Sequence, residues 1–130
     1  MNELYELRSH FAHLVQVSEL RMALGDDMPM SPVKGKTCIG LHFTWYRKAD
    51  EVLAVLPLIE KTLAKFNVKP HFGKMFSLSG QRFEELYGND LQMLRCLIVK
   101  HDPEGKLKNN FMDKYIFTNK DGALTEKQLI

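Results

Sequence analysis

The chain predicts an α+β fold, an antiparallel or mixed sheet with helices packed on one face. Three observations lead there. "TCIGLHFTWYR", Thr37 to Arg47, alternates Ile39, Leu41, Phe43 and Trp45 with Cys38, Gly40, His42 and Thr44. That is the period of a strand with one large apolar face and one small polar face. "ADEVLAVLPLIEKTLAKFN", Ala49 to Asn67, carries Val52, Leu56, Ile59, Leu63 and Phe66 at helical spacing. Helical and extended stretches follow one another along the chain, and such a chain buries its apolar faces by packing helices on a sheet.

The elements follow in order. Leu4, Leu7, Phe11 and Leu14 fall on one face of an opening helix. "VQVSELRMA", Val15 to Ala23, comes next. The helical spacing could run on through Val17, Arg21 and Leu24, but two β-branched valines at alternate positions favour a strand. On a strand Val15, Val17, Glu19 and Arg21 share a face, so that face changes from apolar to ionic along its length. "GDDMPMSPVKGK" is a loop, set by Gly25, Pro29, Pro32 and Gly35. In the helix that follows the strand, Asp50 is the expected N-cap and Asn67 the C-cap, and Pro57 should kink or split it. "VKPHFGK" reads as a short extended piece with a turn. "SGQRFEELYG" and "NDLQMLRCLIVKH" read as two helices divided by Gly88, the second opening with Asn89 and Gln92 in capping-box spacing. "DPEGKLKNNFMDKYIF" and a polar tail close the chain.

Composition excludes several classes. A chain of 130 residues, 45% hydrophobic and 26% charged, has the make-up of one ordinary globular domain. A net charge of +2, with basic residues spread along the chain, argues against nucleic acid or an acidic membrane as partner. No apolar run approaches the ~20 residues that span a bilayer, and "MNELYELRSH" has no signal-peptide core. Cys38 and Cys96 stand apart without metal or disulfide spacing, which predicts reduced thiols in a cytoplasmic protein.

Three short segments place polar groups where a sheet could gather them: Glu19 with Arg21, His42 with Thr44, and His71 with Lys74. If the two strands are neighbours, Glu19, Arg21, His42 and Thr44 form a floor, and "HFGK" can supply a further cation at its rim. One carboxylate, fixed cations and a hydroxyl suit a polyhydroxylated small molecule better than an apolar one. Singly, each residue has a plainer reading. Glu19 and Arg21 could be a solvated ion pair, His42 and Thr44 the outer face of a one-sided sheet, His71 and Lys74 turn residues. Glu19, His42 and His71 are also the ligand types of a carboxylate–dihistidine metal site. No ligand spacing supports that, and Arg21 and Lys74 would repel a cation, so no metal is expected.

The motifs "VSELRM", "GLHFTW", "KPHFGKMF" and "HDPEGKLKNNFMDKYI" occur in this order over roughly residues 12–117. Together they resemble the C-terminal part of the sugar-alcohol and sugar-lactone oxidases, flavoproteins of the vanillyl-alcohol oxidase type. The alditol (xylitol) oxidases come first, the aldonolactone and L-gulonolactone-type oxidoreductases behind them. "HFGK" looks like that family's HWGK or HWAK motif, and "DPEGKLKN" like its closing DPxGxFxN motif, with Leu107 where Phe is usual. "HFTW" favours the alditol branch. The resemblance implies that the Glu-x-Arg pair lies on a sheet of the cap (substrate) domain and faces the isoalloxazine ring of FAD. Glu19 would then accept hydrogen bonds from substrate hydroxyls. Arg21 would sit near substrate and flavin, supporting negative charge on the reduced ring. Lys74 would contact the reacting hydroxyl, with His42 and Thr44 completing the polyol site. Arg21 and Lys74 are the expected catalytic pair, and Arg21 is also the expected cofactor contact.

The resemblance further implies a cap-domain fragment over residues 1–118, a polar tail over 119–130, and FAD bound mainly by a domain missing from this chain. Either a cut-down piece of a longer protein or the product of a truncated or split gene is the expectation, and the isolated chain should be inactive. A non-catalytic polyol-binding module, or one half of a two-chain oxidase, is the alternative. Expected partners are a sugar alcohol or aldonolactone, an FAD-binding domain in cis or trans, and a second copy through the exposed domain interface.

Overall fold

Val15 opens a strand whose apolar-to-ionic change has a local cause. The computed structural model describes residues 2–118. Strand β1 (Val15–Ala23) pairs antiparallel with β2 (Cys38–Trp45) in a two-stranded sheet. Val15 is opposite Trp45, yet Val17 is opposite Thr44, so the register slips by one residue between them. A β-bulge at Gln16 accounts for this, because one extra residue reverses which side chains face inward. Val15 therefore packs toward the core with Trp45, whereas Val17, Glu19 and Arg21 lie on the opposite face with Thr44, His42 and Gly40. The expectation that Val15 and Val17 share a face is corrected.

The expected single opening helix is replaced by α1 (Asn2–Glu6), α2 (Arg8–Phe11) and a 3₁₀ turn, Ala12–Leu14. Phe11, at φ −137°, leaves the helical region and ends the ladder. The spacing still does its work, since Leu4, Phe11 and Leu14 are buried against Val52, Val55, Leu56 and Ile59 of α3 (Ala49–Leu63). Phe11 meets Phe43 edge-on at 5.7 Å between ring centroids and Trp45 at 6.5 Å, which fastens the sheet to this core. The sheet's apolar face is covered only near Trp45. Farther along, Met22 is 78% exposed and Ile39 70%.

Helix α3 is not split by Pro57, which lies on its exposed side, where water can satisfy the Leu53 carbonyl that Pro57 cannot reach. Lys48 occupies the N-cap position without a side-chain bond, and Asp50 sits inside the first turn, correcting the expected cap. There the Asp50 carboxylate still complements the helix dipole. A 3₁₀ turn, Ala64–Phe66, ends at Asn67 in the left-handed region, φ 51°, as a C-terminal asparagine allows.

The chain divides after Leu78 into two compact units. In the second, α4 (Gly80–His101) is interrupted at Gly88, φ 47° and ψ −122°, so two helices do meet there. Ser79 caps the first by accepting from the Arg82 N–H at 3.1 Å. The expected capping-box partner Gln92 donates to Glu84 at 3.0 Å, a use that its spacing to Asn89 did not predict. Phe83, Tyr87, Leu91 and Arg95 are the buried stripe. Asp102 folds the closing motif by accepting from the Lys106 and Leu107 N–H groups, both at 2.8 Å, while Gly105 takes φ 67°. Asn109 then accepts from the Met112 N–H at 3.1 Å and starts the π-helical turn Met112–Ile116. The tail expected over 119–130 lies outside the described residues.

Candidate functional site

The floor is built by cross-strand pairing. Glu19 is directly opposite His42, and Arg21 is opposite Gly40. The His42 Nδ1–H donates to Glu19 Oε2 at 3.1 Å, and the Arg21 guanidinium donates to the same oxygen. Glu19 and His42 are about one-third exposed, while the Arg21 side chain is 70% exposed and reaches outward. Gly40 gives Arg21 a neighbour without a side chain. Thr44 lies two residues along from His42 on the same face, opposite Val17.

Glu19 is held below its ordinary carboxyl value of 4.5, first by the hydrogen bond from His42, with desolvation opposing it next and the charge and hydrogen bond of Arg21 adding to the lowering. An ionised carboxylate only accepts, so the proton on this contact belongs to His42 Nδ1. His42 Nε2 is then left for a further partner. Replacing His42 by alanine is expected to move the Glu19 titration upward, measured by the pH dependence of its carboxyl carbon resonance. An unchanged titration would show that His42 does not polarise Glu19.

Sequence reading grouped His71 and Lys74 with this floor. Instead they build their own turn: the Lys74 N–H donates to the His71 carbonyl at 3.0 Å, and the Gly73 N–H to His71 Nδ1 at 3.0 Å. No hydrogen bond or ion pair among the described residues ties either side chain to Glu19, Arg21, His42 or Thr44. His71 is thus spent locally, and Lys74 is exposed. Among the described residues no group of three or more His, Cys, Asp or Glu is placed to hold a metal ion.

Two contacts escaped sequence reading. Glu60 on α3 accepts from the Ser77 N–H at 2.7 Å and from the Ser77 hydroxyl. Arg95, at 3% exposure, donates to both carboxylate oxygens of Glu84, at 2.8 and 2.6 Å, and to the Ile116 carbonyl. Neither pair has a spacing rule to announce it. For Arg95 the one available signal was its position four residues beyond Leu91 in the apolar stripe.

A helix-backed hairpin with an ionic outer face is a recurring way to offer fixed polar groups to a ligand. Family comparison makes the class specific: residues 3–115 match the D-arabinono-1,4-lactone oxidase family, and this chain belongs to that family. Among curated proteins, the alditol oxidase of Streptomyces sp. (strain IKD472 / FERM P-14339) is 33% identical over 106 residues. The match takes in 82% of this chain but 25% of that relative, so the chain spans about a quarter of the protein it resembles. No helix among the described residues is long and apolar enough to cross a membrane.

Proposed function

We propose that this chain forms the substrate-binding part of an FAD-linked oxidoreductase that oxidises a CH–OH group of a sugar alcohol or aldonolactone, with oxygen as acceptor. One observation carries the reading. In a member of this family, Glu19, Arg21 and His42 meet on an open sheet face through contacts to a single carboxylate oxygen. The second oxygen, Oε1, is left to accept from substrate hydroxyls, and Thr44 and His42 Nε2 add a donor–acceptor pair beside it.

The donor set also fits FAD. An exposed guanidinium can meet an electron-rich ring, and the nearby carboxylate is already neutralised by Arg21 and His42. Bound FAD supplies the acceptor for the hydride. Arg21 would face it, and most of its binding surface would come from another domain, in cis or trans.

The chain's own residues act electrostatically. A primary alcohol has a pKa near that of water, about 15.7. Ionising it fully near neutral pH costs about 12 kcal/mol at about 1.36 kcal/mol per pKa unit. One cation at ~4 Å contributes about 4 kcal/mol at an effective dielectric of about 20. Arg21 and Lys74 together therefore fall short of producing a free alkoxide. They stabilise negative charge on the hydroxyl oxygen as its carbon-bound hydrogen departs. Lys74 reaches that oxygen from the His71–Lys74 turn.

Leu20, Met22 and Ile39, exposed on the opposite face, support the self-association part of the reading, because an uncovered apolar surface favours a second copy against it. Since the floor is complete within this chain, a second reading stands beside the first: polyol binding without catalysis. Hydrogen peroxide release from xylitol and from an aldonolactone, measured on the complete protein, separates them. Oxidation of either, with a raised KM in E19Q, is the expected result. Saturable xylitol binding with no oxidation of either compound would overturn the oxidase reading in favour of the second.

A further inference from the structure

Lys74 stands in a stretch without regular backbone structure. Residues 68–78 form neither helix nor strand, so no backbone ladder fixes where the His71–Lys74 turn sits. The turn's internal bonds, from Lys74 N–H and Gly73 N–H to His71, set its shape but not its place. Two ties near its ends contribute to its place. Upstream, Asn67 closes the 3₁₀ turn after α3, and the Lys69 ammonium donates to the Ser31 carbonyl at 3.4 Å, a long contact. Downstream, Ser77 gives both its N–H, at 2.7 Å, and its hydroxyl to the two oxygens of Glu60.

This second anchor is the firm one. A carboxylate that accepts from two donors makes charge-assisted bonds, stronger than neutral ones. Glu60 follows Ile59 of α3, which is buried in the core, so the carboxylate is carried on a helix anchored there. Pinning Ser77 also shortens the irregular span around Lys74 and lowers the entropy it would otherwise retain.

We propose that Glu60 is a positioning residue for Lys74, holding the HFGK turn in place by clamping Ser77 to α3. Its bearing on catalysis rests on the reading of Lys74 as a substrate contact, but the clamp itself is tested on the chain alone. Trypsin can cut after Lys74 but not after Lys69, because Pro70 follows, so nicking at Lys74–Met75 reports the opening of this segment. E60A is expected to speed that nicking about 10- to 100-fold, the effect of losing a charged hydrogen-bond pair on a pre-opening equilibrium. Cleavage at Lys61–Thr62, within α3, should stay at the wild-type rate. E60Q, whose amide can still accept from the Ser77 N–H and donate to its hydroxyl oxygen, should restore most of the protection. Should E60A fail to fold, S77A, which keeps the carboxylate and the backbone donor, must show a smaller acceleration at the same bond. An unchanged rate at Lys74–Met75, or an equal acceleration at Lys61–Thr62, would overturn the proposal. Loss of activity in K74M of the complete protein tests the underlying reading separately, and its failure would leave the nicking result standing.

Discussion

Replacing Arg95 by methionine should lower the stability of the second unit by about 2–3 kcal/mol, the cost of taking a charged donor from a partly buried ion pair. Arg95 sits in a stripe with Phe83, Tyr87 and Leu91, and its guanidinium joins Glu84 to the Ile116 carbonyl, so one side chain binds α4 to the closing turn. Methionine fills a similar volume but takes the guanidinium from that carbonyl and leaves the carboxylate with Gln92. Amide hydrogen exchange along α4 is the suitable measurement, because two compact units need not unfold together. Protection equal to the wild type would contradict the role assigned to Arg95.

The same pair gives this unit a pH dependence with a definite sign. Glu84 is held below its ordinary carboxyl value of 4.5, chiefly by the hydrogen bonds from Arg95, with partial burial opposing. A carboxylate whose folded pKa is depressed contributes stability above its unfolded value, and that contribution is lost as pH falls through the folded value. The difference between wild type and R95M should therefore shrink as the solution is acidified below 4.5.

On the proposed function, replacing Arg21 by methionine should cost the complete protein about 10²–10³ in turnover, the usual effect of removing one preorganised charge from a developing anion. Fold stability should hardly change, because the Arg21 side chain is 70% exposed and its ion pair with Glu19 is a surface one. A lowered kcat with a nearly constant KM would mark an interaction made only in the transition state. A raised KM with unchanged kcat would make Arg21 a simple binding group.

Much of this was legible before any coordinates. Both strands, α3, the left-handed close at Asn67 and the break at Gly88 follow from alternation, helical spacing and local backbone chemistry. Glu19, Arg21, His42 and Thr44 were expected on one face, and pairing of neighbouring strands places them there. The bulge at Gln16 was not legible, because nothing in "VQV" distinguishes a residue in register from one pushed out of it. Pro57 misled for another reason: whether proline breaks a helix depends on which side of the helix the freed carbonyl faces. Arg95 and Glu60 were out of reach because each meets its partners across 11 or more residues of sequence, and long-range polar pairs carry no periodic signature. For His71 the plainer expectation of a turn residue is the one the structure shows, with its Nδ1 accepting from the Gly73 N–H.

The claim that this sheet face is the oxidising site is tested most directly by the reductive step of the complete protein. Xylitol is mixed in without oxygen, and the loss of flavin absorbance is followed in wild type and in the R21M/K74M double variant. The account predicts rapid bleaching in the wild type and a slowing of at least about 10³ in the double variant. Bleaching at the wild-type rate in the double variant would contradict it.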